Sequence, residues 1–249
     1  MRPSPAAVLG RRQRSAERGP PRRGPRPRPA SGGTMSVFFS ASHRRLQDGH
    51  GTRALADRLE AHAHPCFEPP ERDFIERATM VFLSTVDGSG QPTVSYKGGA
   101  PGFVRITGPN ELIVPSYDGN GMFLTLGNLA ENPRIGLLFI DFEHPHRLRV
   151  HGTAALVDDA GLLALYPGAD HVVRVTADRI FVNCGRYVHR SAGATLSPHL
   201  PDPAGHQPFP AWKRLDIFEG ALPEDDAREV ARRGGTIPLE AYPGEADPG

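Results

Sequence analysis

The chain carries two cysteines, one tryptophan and four methionines in 249 residues. Two cysteines, Cys66 and Cys184, cannot build a disulfide framework and fit a reducing compartment. Lysine is as scarce: only Lys97 and Lys213 occur, and the remaining strong bases are arginines. No apolar run approaches the roughly 18 residues that cross a bilayer, so a soluble, cytoplasmic chain without a membrane partner is expected. Neither a P-loop nor a nucleophile elbow is present, which removes the usual signatures of phosphate hydrolysis and serine acyl transfer. No internal repeat is visible. Hydrophobic residues at 38% and aromatics at 7% are few for a fully packed chain, and 28 glycines with 26 prolines imply that part of it stays unfolded.

The net charge of +1 hides an uneven distribution. Residues 1–34 are rich in arginine and proline, with Glu17 as their one acid. Such a segment buries too little apolar surface to offset its ordering entropy, and disorder is expected. A nucleic-acid arm needs base-reading aromatics or amides; aromatics are missing and Gln13 is the single amide, so no nucleic-acid partner is expected. A transit peptide is opposed by the prolines. The remaining reading is that Met35, in "TMSVFF", is the natural start.

Residues 36–78 predict helices. Leu55, Leu59 and His62 recur at helical spacing before Pro65, and "PERDFIERA" begins on proline with acids in its first turn. From residue 80 to about 184 the period changes to two. "MVFLSTV", "TVSYK", "GFVRIT", "ELIVP", "RIGLLFIDF", "HRLRVHGTAALV" and "VVRVTADRIFVN" read as strands. Short turns such as "VDGSGQP" argue for antiparallel hairpins. A helix in "GMFLTLGNLAENP", stopped by Asn132-Pro133, interrupts them. The expectation is a mainly β, α+β fold whose six or seven antiparallel strands close into a small barrel. Residues 35–196 would form this domain. Residues 197–249 would be a proline-rich extension anchored by "AWKRLDIF" and carrying a polar helix, "PEDDAREVARR".

Three stretches could carry chemistry. In "GQPTVSYKGG", alternation places Thr93, Ser95 and Lys97 on one face, two hydroxyls and an ammonium suited to a phosphate. Gly98 and Gly99 would admit close backbone approach; a solvated strand face ending in a turn is the plainer alternative. In "PSYDGNGMFLTLGNLAENPR" a polar turn precedes a helix, whose N–H groups attract anions. Asn120 offers a further donor, and Thr125 and Asn128 share a helical face; an ordinary helix capped by Asp118 or Asn120 is the alternative. In "HPHRLRVHG", Arg147 and Arg149 share a strand face: inward they need an anion, outward they need only water.

These pieces carry a resemblance. Residues from about 71 to 190 resemble the pyridoxamine 5′-phosphate oxidase-like family of flavin-binding split β-barrels: "GQP" opening a strand, a polar turn and helix ending in "ENPRIGLLF", and a basic strand closing on "RVHG". "HRRLQD" and "NCGRYVHR" are similar to a bacterial branch of flavin-dependent enzymes. The resemblance implies a split barrel, a homodimer, and FMN bound between barrels for electron or hydride transfer. The family's strand arginine falls on Ser95, its arginine-lysine pair near Leu124 and Thr125, and two glutamines on Asn128 and Arg147. Lys97 and Arg149 are then the cations left to hold the phosphate. With the family's charged ligands absent from their usual places, pyridoxamine phosphate oxidation itself is not implied. The cofactor-binding set expected is Ser95, Lys97, Gly98, Asn120, Thr125, Asn128, Arg147 and Arg149. The substrate is an unidentified small molecule. A non-catalytic flavin or haem carrier and a deazaflavin reductase are the alternatives.

Other signals are weaker. "HAHPC" supplies His62, His64 and Cys66 without a fourth ligand, and no metal site is expected. Cys184 has no assignable base and reads as a buried strand-end thiol. "YDGNG" lacks the acid ladder of a calcium loop.

Overall fold

The computed structural model describes residue 36 and residues 38–191, 196–197 and 199–242. The readings for residues 1–34 lie outside them. Two units are distinguished, residues 1–46 and 47–249. The first unit ends within helix α1, Ala41–His50.

The second unit continues with α2, Arg53–Ala61, and α3, Pro69–Arg77. Proline opens α3, and a reciprocal pair of contacts between Glu68 and Glu71 satisfies its first amides. In α2 the predicted apolar pair turns outward: Leu55 and Leu59 are exposed and Ala56 is the buried residue. No helix among the described residues is long and apolar enough to cross a membrane.

Seven strands follow: β1 Met80–Val86, β2 Pro92–Gly98, β3 Arg105–Ile106, β4 Glu111–Tyr117, β5 Arg134–Asp141, β6 His146–Val157 and β7 Ala169–Asn183. Helix α4, Leu124–Glu131, separates β4 from β5, and a short α5, Ala160–Leu163, precedes β7. Adjacent strands all run antiparallel in the order β2-β1-β5-β6-β7-β4-β3. The sheet is therefore open, with β2 and β3 as its edges, and the expected closure of the barrel is not made by strand pairing. The reason lies in "GFVRIT". Only Arg105 and Ile106 pair as strand, while Phe103 and Val104 go into the core from irregular backbone. Too little strand is left there to reach β2.

Period-two alternation decides which face is buried. Ser95, Leu83, Leu137 and Val150 stand in register on the inner face, with Leu83, Leu137 and Val150 buried. Tyr96, Phe82, Leu138, Arg149 and Phe181 form the adjacent row on the outer face. Ile75 of α3 and Leu126 and Leu129 of α4 cover the inner face, each contributing about 1.5–3 kcal/mol by leaving water. Opposite His151 and Gly152, Asp178 is an extra residue in β7, a bulge that bends β7 against β6.

After β7 the extension forms short 3-10 turns at Ala211–Arg214 and Asp216–Phe218, then α6, Glu224–Arg232. Leu215 and Val230 are buried there.

Candidate functional site

The opening in the sheet lies beside α4. The inner face of edge strand β2, the end of β4 and the first turn of α4 line a cavity of about 350 Å³ there. Of the residues expected from sequence, Ser95, Lys97, Asn120 and Thr125 line it together. Ser95 Oγ and Thr125 Oγ1 are 3.2 Å apart, so a hydrogen bond joins β2 to α4. Asn120 Oδ1 accepts from the Met122 amide at 3.1 Å, which shapes the turn before the helix.

Lys97 sets the electrostatics. Burial holds its ammonium below the ordinary lysine value, because desolvation penalises the charge. The other lysine stands close by in space. Lys213, buried in the extension, donates to Asp118 Oδ2 at 2.8 Å and to Asp226 Oδ1 at 3.1 Å. Burial lowers its pKa, but these bonds outweigh burial and raise it overall. Asp118, which lines the cavity, is thus already neutralised, and Asp170 brings an exposed carboxylate to the rim.

Helix α4 starts without a side-chain cap, so the sequence reading of Asp118 or Asn120 as the cap is corrected. The residue before the helix is Phe123, the one non-glycine among the described residues with positive φ, at 49°. A bulky side chain in the left-handed region costs energy, and such strain gathers at binding sites. Phe123 is also 60% exposed and lines the cavity.

The remaining expected residues stand elsewhere. Gly98 lines a neighbouring groove. Asn128 is buried in α4 and donates to the buried Thr85 Oγ1 at 3.0 Å, tying helix to β1. Arg147 and Arg149 flank the buried Leu148 and so belong to the outer face, opposite to Ser95 and Lys97. Arg147 Nε donates to the Cys184 carbonyl at 3.1 Å, and the Asn183 Oδ1 beside it is buried without a hydrogen-bond partner. The chain therefore does not gather all the expected cations into one pocket.

Cys184 is exposed, not buried as expected, because it lies just past the end of β7. In "HAHPC", His64 Nδ1 lies 2.8 Å from the Cys66 carbonyl and its Nε2 lies 3.3 Å from Glu71, while His62 Nδ1 meets the Arg58 carbonyl at 2.6 Å. Those contacts fasten helix ends.

Sequence reasoning missed Ser116, Tyr117, Phe123 and Asp170, which also line the cavity, and Lys213, which braces it. Tyr117 and Phe123 carried no signal beyond their place next to a glycine-rich turn. Lys213 carried one, as the second lysine in an arginine-rich chain.

A putative pyridoxamine 5′-phosphate oxidase from Lactobacillus delbrueckii aligns at 22% identity over 47% of this chain and 95% of its own, with a TM-score of 0.39. An FMN-binding protein from Syntrophomonas wolfei aligns at 13% identity over 57% and 95%, with a TM-score of 0.35. HutZ, a haem storage protein from Vibrio cholerae, aligns at 18% identity over 46% and 93%, also at 0.35. No curated protein matches the chain. Residues 67–184 match the family model described as pyridoxamine 5′-phosphate oxidase. This segment spans the seven strands and the cavity beside α4, and through it the chain is similar to the pyridoxamine 5′-phosphate oxidase family.

Proposed function

We propose that the chain is an FMN-dependent oxidoreductase that works as a homodimer on a small-molecule substrate. The observation that carries this reading is the surroundings of Lys97: a half-buried ammonium, two facing hydroxyls and an uncapped helix start around one cavity of a family fold. An ammonium whose charge is penalised by burial gains from an anion that restores its charged form. A phosphate monoester suits that demand and also uses the free amides of the first turn of α4. Lys97 would neutralise the phosphate. Ser95 and Thr125 would turn their hydroxyls from each other to its oxygens, and the Asn120 amide would donate at the rim. Asn128, through Thr85, would hold α4 in place. Bound FMN supplies the acceptor and donor for an electron pair, and the protein supplies position and charge.

Homodimer formation would bring in the remaining cations. The outer face carries Arg147 and Arg149 together with Tyr96, 57% exposed, and Val94, 67% exposed. Such a face, part apolar and part basic, suits a second copy packed over a shared anionic cofactor.

The test is to purify residues 35–249 and record the absorption spectrum. A band at about 450 nm that bleaches on reduction is expected, whereas a Soret band or a single band at about 420 nm would replace FMN by haem or deazaflavin. Turnover with a nicotinamide donor then separates an enzyme from a carrier.

A further inference from the structure

Residues 199–242 return to the sheet as a built wall. Gln207 Nε2 donates to the Gly168 carbonyl at 2.8 Å, and a Cβ on Gly168 would stand 2.8 Å from the Gly205 carbonyl oxygen. Both glycines have positive φ, so this close backbone passage depends on them. Within the wall, the Ile237 amide donates to the Arg214 carbonyl at 2.7 Å, and Arg214 Nε donates to the Gly235 carbonyl at 3.0 Å. Lys213 then clamps the wall to the loop before α4 through Asp118, and to α6 through Asp226.

Between wall and sheet lies a groove of about 870 Å³. It shares Tyr96, Lys97, Tyr117, Asp118, Asn120 and Asp170 with the smaller cavity, so the two are continuous. Its other rings come from the extension: Pro208, Phe209, Pro210 and Trp212. Its charges balance, with Lys97, Lys213, Arg232 and Arg233 against Asp118, Asp170, Asp226 and Glu229. Most are also closed into pairs. Lys213 takes Asp118 and Asp226, and Glu229 takes Arg233 at 2.7 Å as well as Arg232.

We propose that this groove is a second binding site, which takes an uncharged planar ring compound and holds it next to the ligand of the smaller cavity. Rings and prolines offer flat apolar contact. A charged guest would lose water without gaining a counter-ion, because the charges in the wall already satisfy one another and Lys97 is engaged by the ligand of the smaller cavity. The wall that carries these rings lies outside the family-matched segment, so the ligand class it selects belongs to this chain. Its role as the substrate site of a flavoenzyme rests on the FMN reading; the binding itself does not.

The test is calorimetric titration of the full chain, with and without saturating FMN, using one ring in three charge states: 2-naphthol, 2-naphthoate and 2-naphthylmethylammonium. The expected result is saturable binding of 2-naphthol, tighter than either charged ring by at least about tenfold. Trp212→Ala is expected to weaken it by a similar factor while FMN affinity stays unchanged. Phe209→Ala, in the same wall, serves as the second variant if Trp212→Ala fails to fold. No saturable binding of 2-naphthol in either form of the chain would overturn the proposal. So would a charged ring binding as tightly in the presence of FMN, or a folded Trp212→Ala or Phe209→Ala variant that binds 2-naphthol like the parent. A chain that binds 2-naphthol but not FMN would retain this inference and remove the flavin reading; the opposite pattern would remove this inference alone.

Discussion

Lys97 and Lys213 are the same residue type in opposite circumstances. Lys213 is buried between two carboxylates and titrates high, while Lys97 is partly buried and titrates low. This contrast gives a pH dependence of definite sign. An unfolded Lys97 keeps its proton up to the ordinary value, and the folded one loses it earlier. Between the two values the unfolded state binds more protons, so the stability of the ligand-free chain should rise with pH across that window. Denaturant unfolding at several pH values checks this, and Lys97→Met should flatten that contribution. FMN affinity should move the other way, falling as pH rises through the lowered pKa. Lys97→Ala should weaken FMN by about 10- to 100-fold, the worth of one charged hydrogen bond, as read by fluorescence titration. Asn128→Ala tests the support beneath: it removes the donor that Thr85 Oγ1 accepts in a buried place and should cost about 1–3 kcal/mol in urea unfolding. At this scale the sequence was informative where phase alone decides. Ser95 and Lys97 share a face because strands alternate. The same rule could have turned Arg147 and Arg149 outward, since Leu148 and Val150 between and beside them are natural core residues. The brace on Asp118 was not legible, because Lys213 lies 95 positions away along the chain.

Among the elements, strands were easier to read than their ends. β1 and β6 follow the runs "MVFLSTV" and "HRLRVHGTAALV", as a half-buried sheet demands. β3 was over-read because apolar residues serve a strand and a buried loop equally well. Phe103 and Val104 are core without being strand, and Gly99 accommodates them: a Cβ there would stand 2.4 Å from Phe103. Closure is a property of where edges meet, which strand composition does not encode. The bulge in β7 opposite Gly152 is a separate test. A Cβ on Gly152 would stand 2.0 Å from the Thr176 carbonyl oxygen, which backbone cannot easily yield. Gly152→Ala should therefore destabilise the sheet by about 2–3 kcal/mol in denaturant unfolding, although alanine is otherwise better suited to regular structure than glycine.

For the whole molecule, the open sheet, α4 and the extension meet at one place. The gap beside β2 makes a cavity, the helix start and Lys97 give it positive character, and the extension adds a wall held by the second lysine. Outer-face arginines and exposed aromatic surface complete the proposal of a dimeric flavoprotein. The account depends on recognition of the phosphate more than of the flavin ring. Titrating the purified, cofactor-stripped protein with FMN and with riboflavin separates the two most directly, since the ligands differ only in that group. FMN should bind with saturation and riboflavin at least about 100-fold more weakly, a difference that Lys97→Ala should shrink by about 10- to 100-fold. Equal affinity for the two, or no binding of either, would contradict the assignment of the cavity.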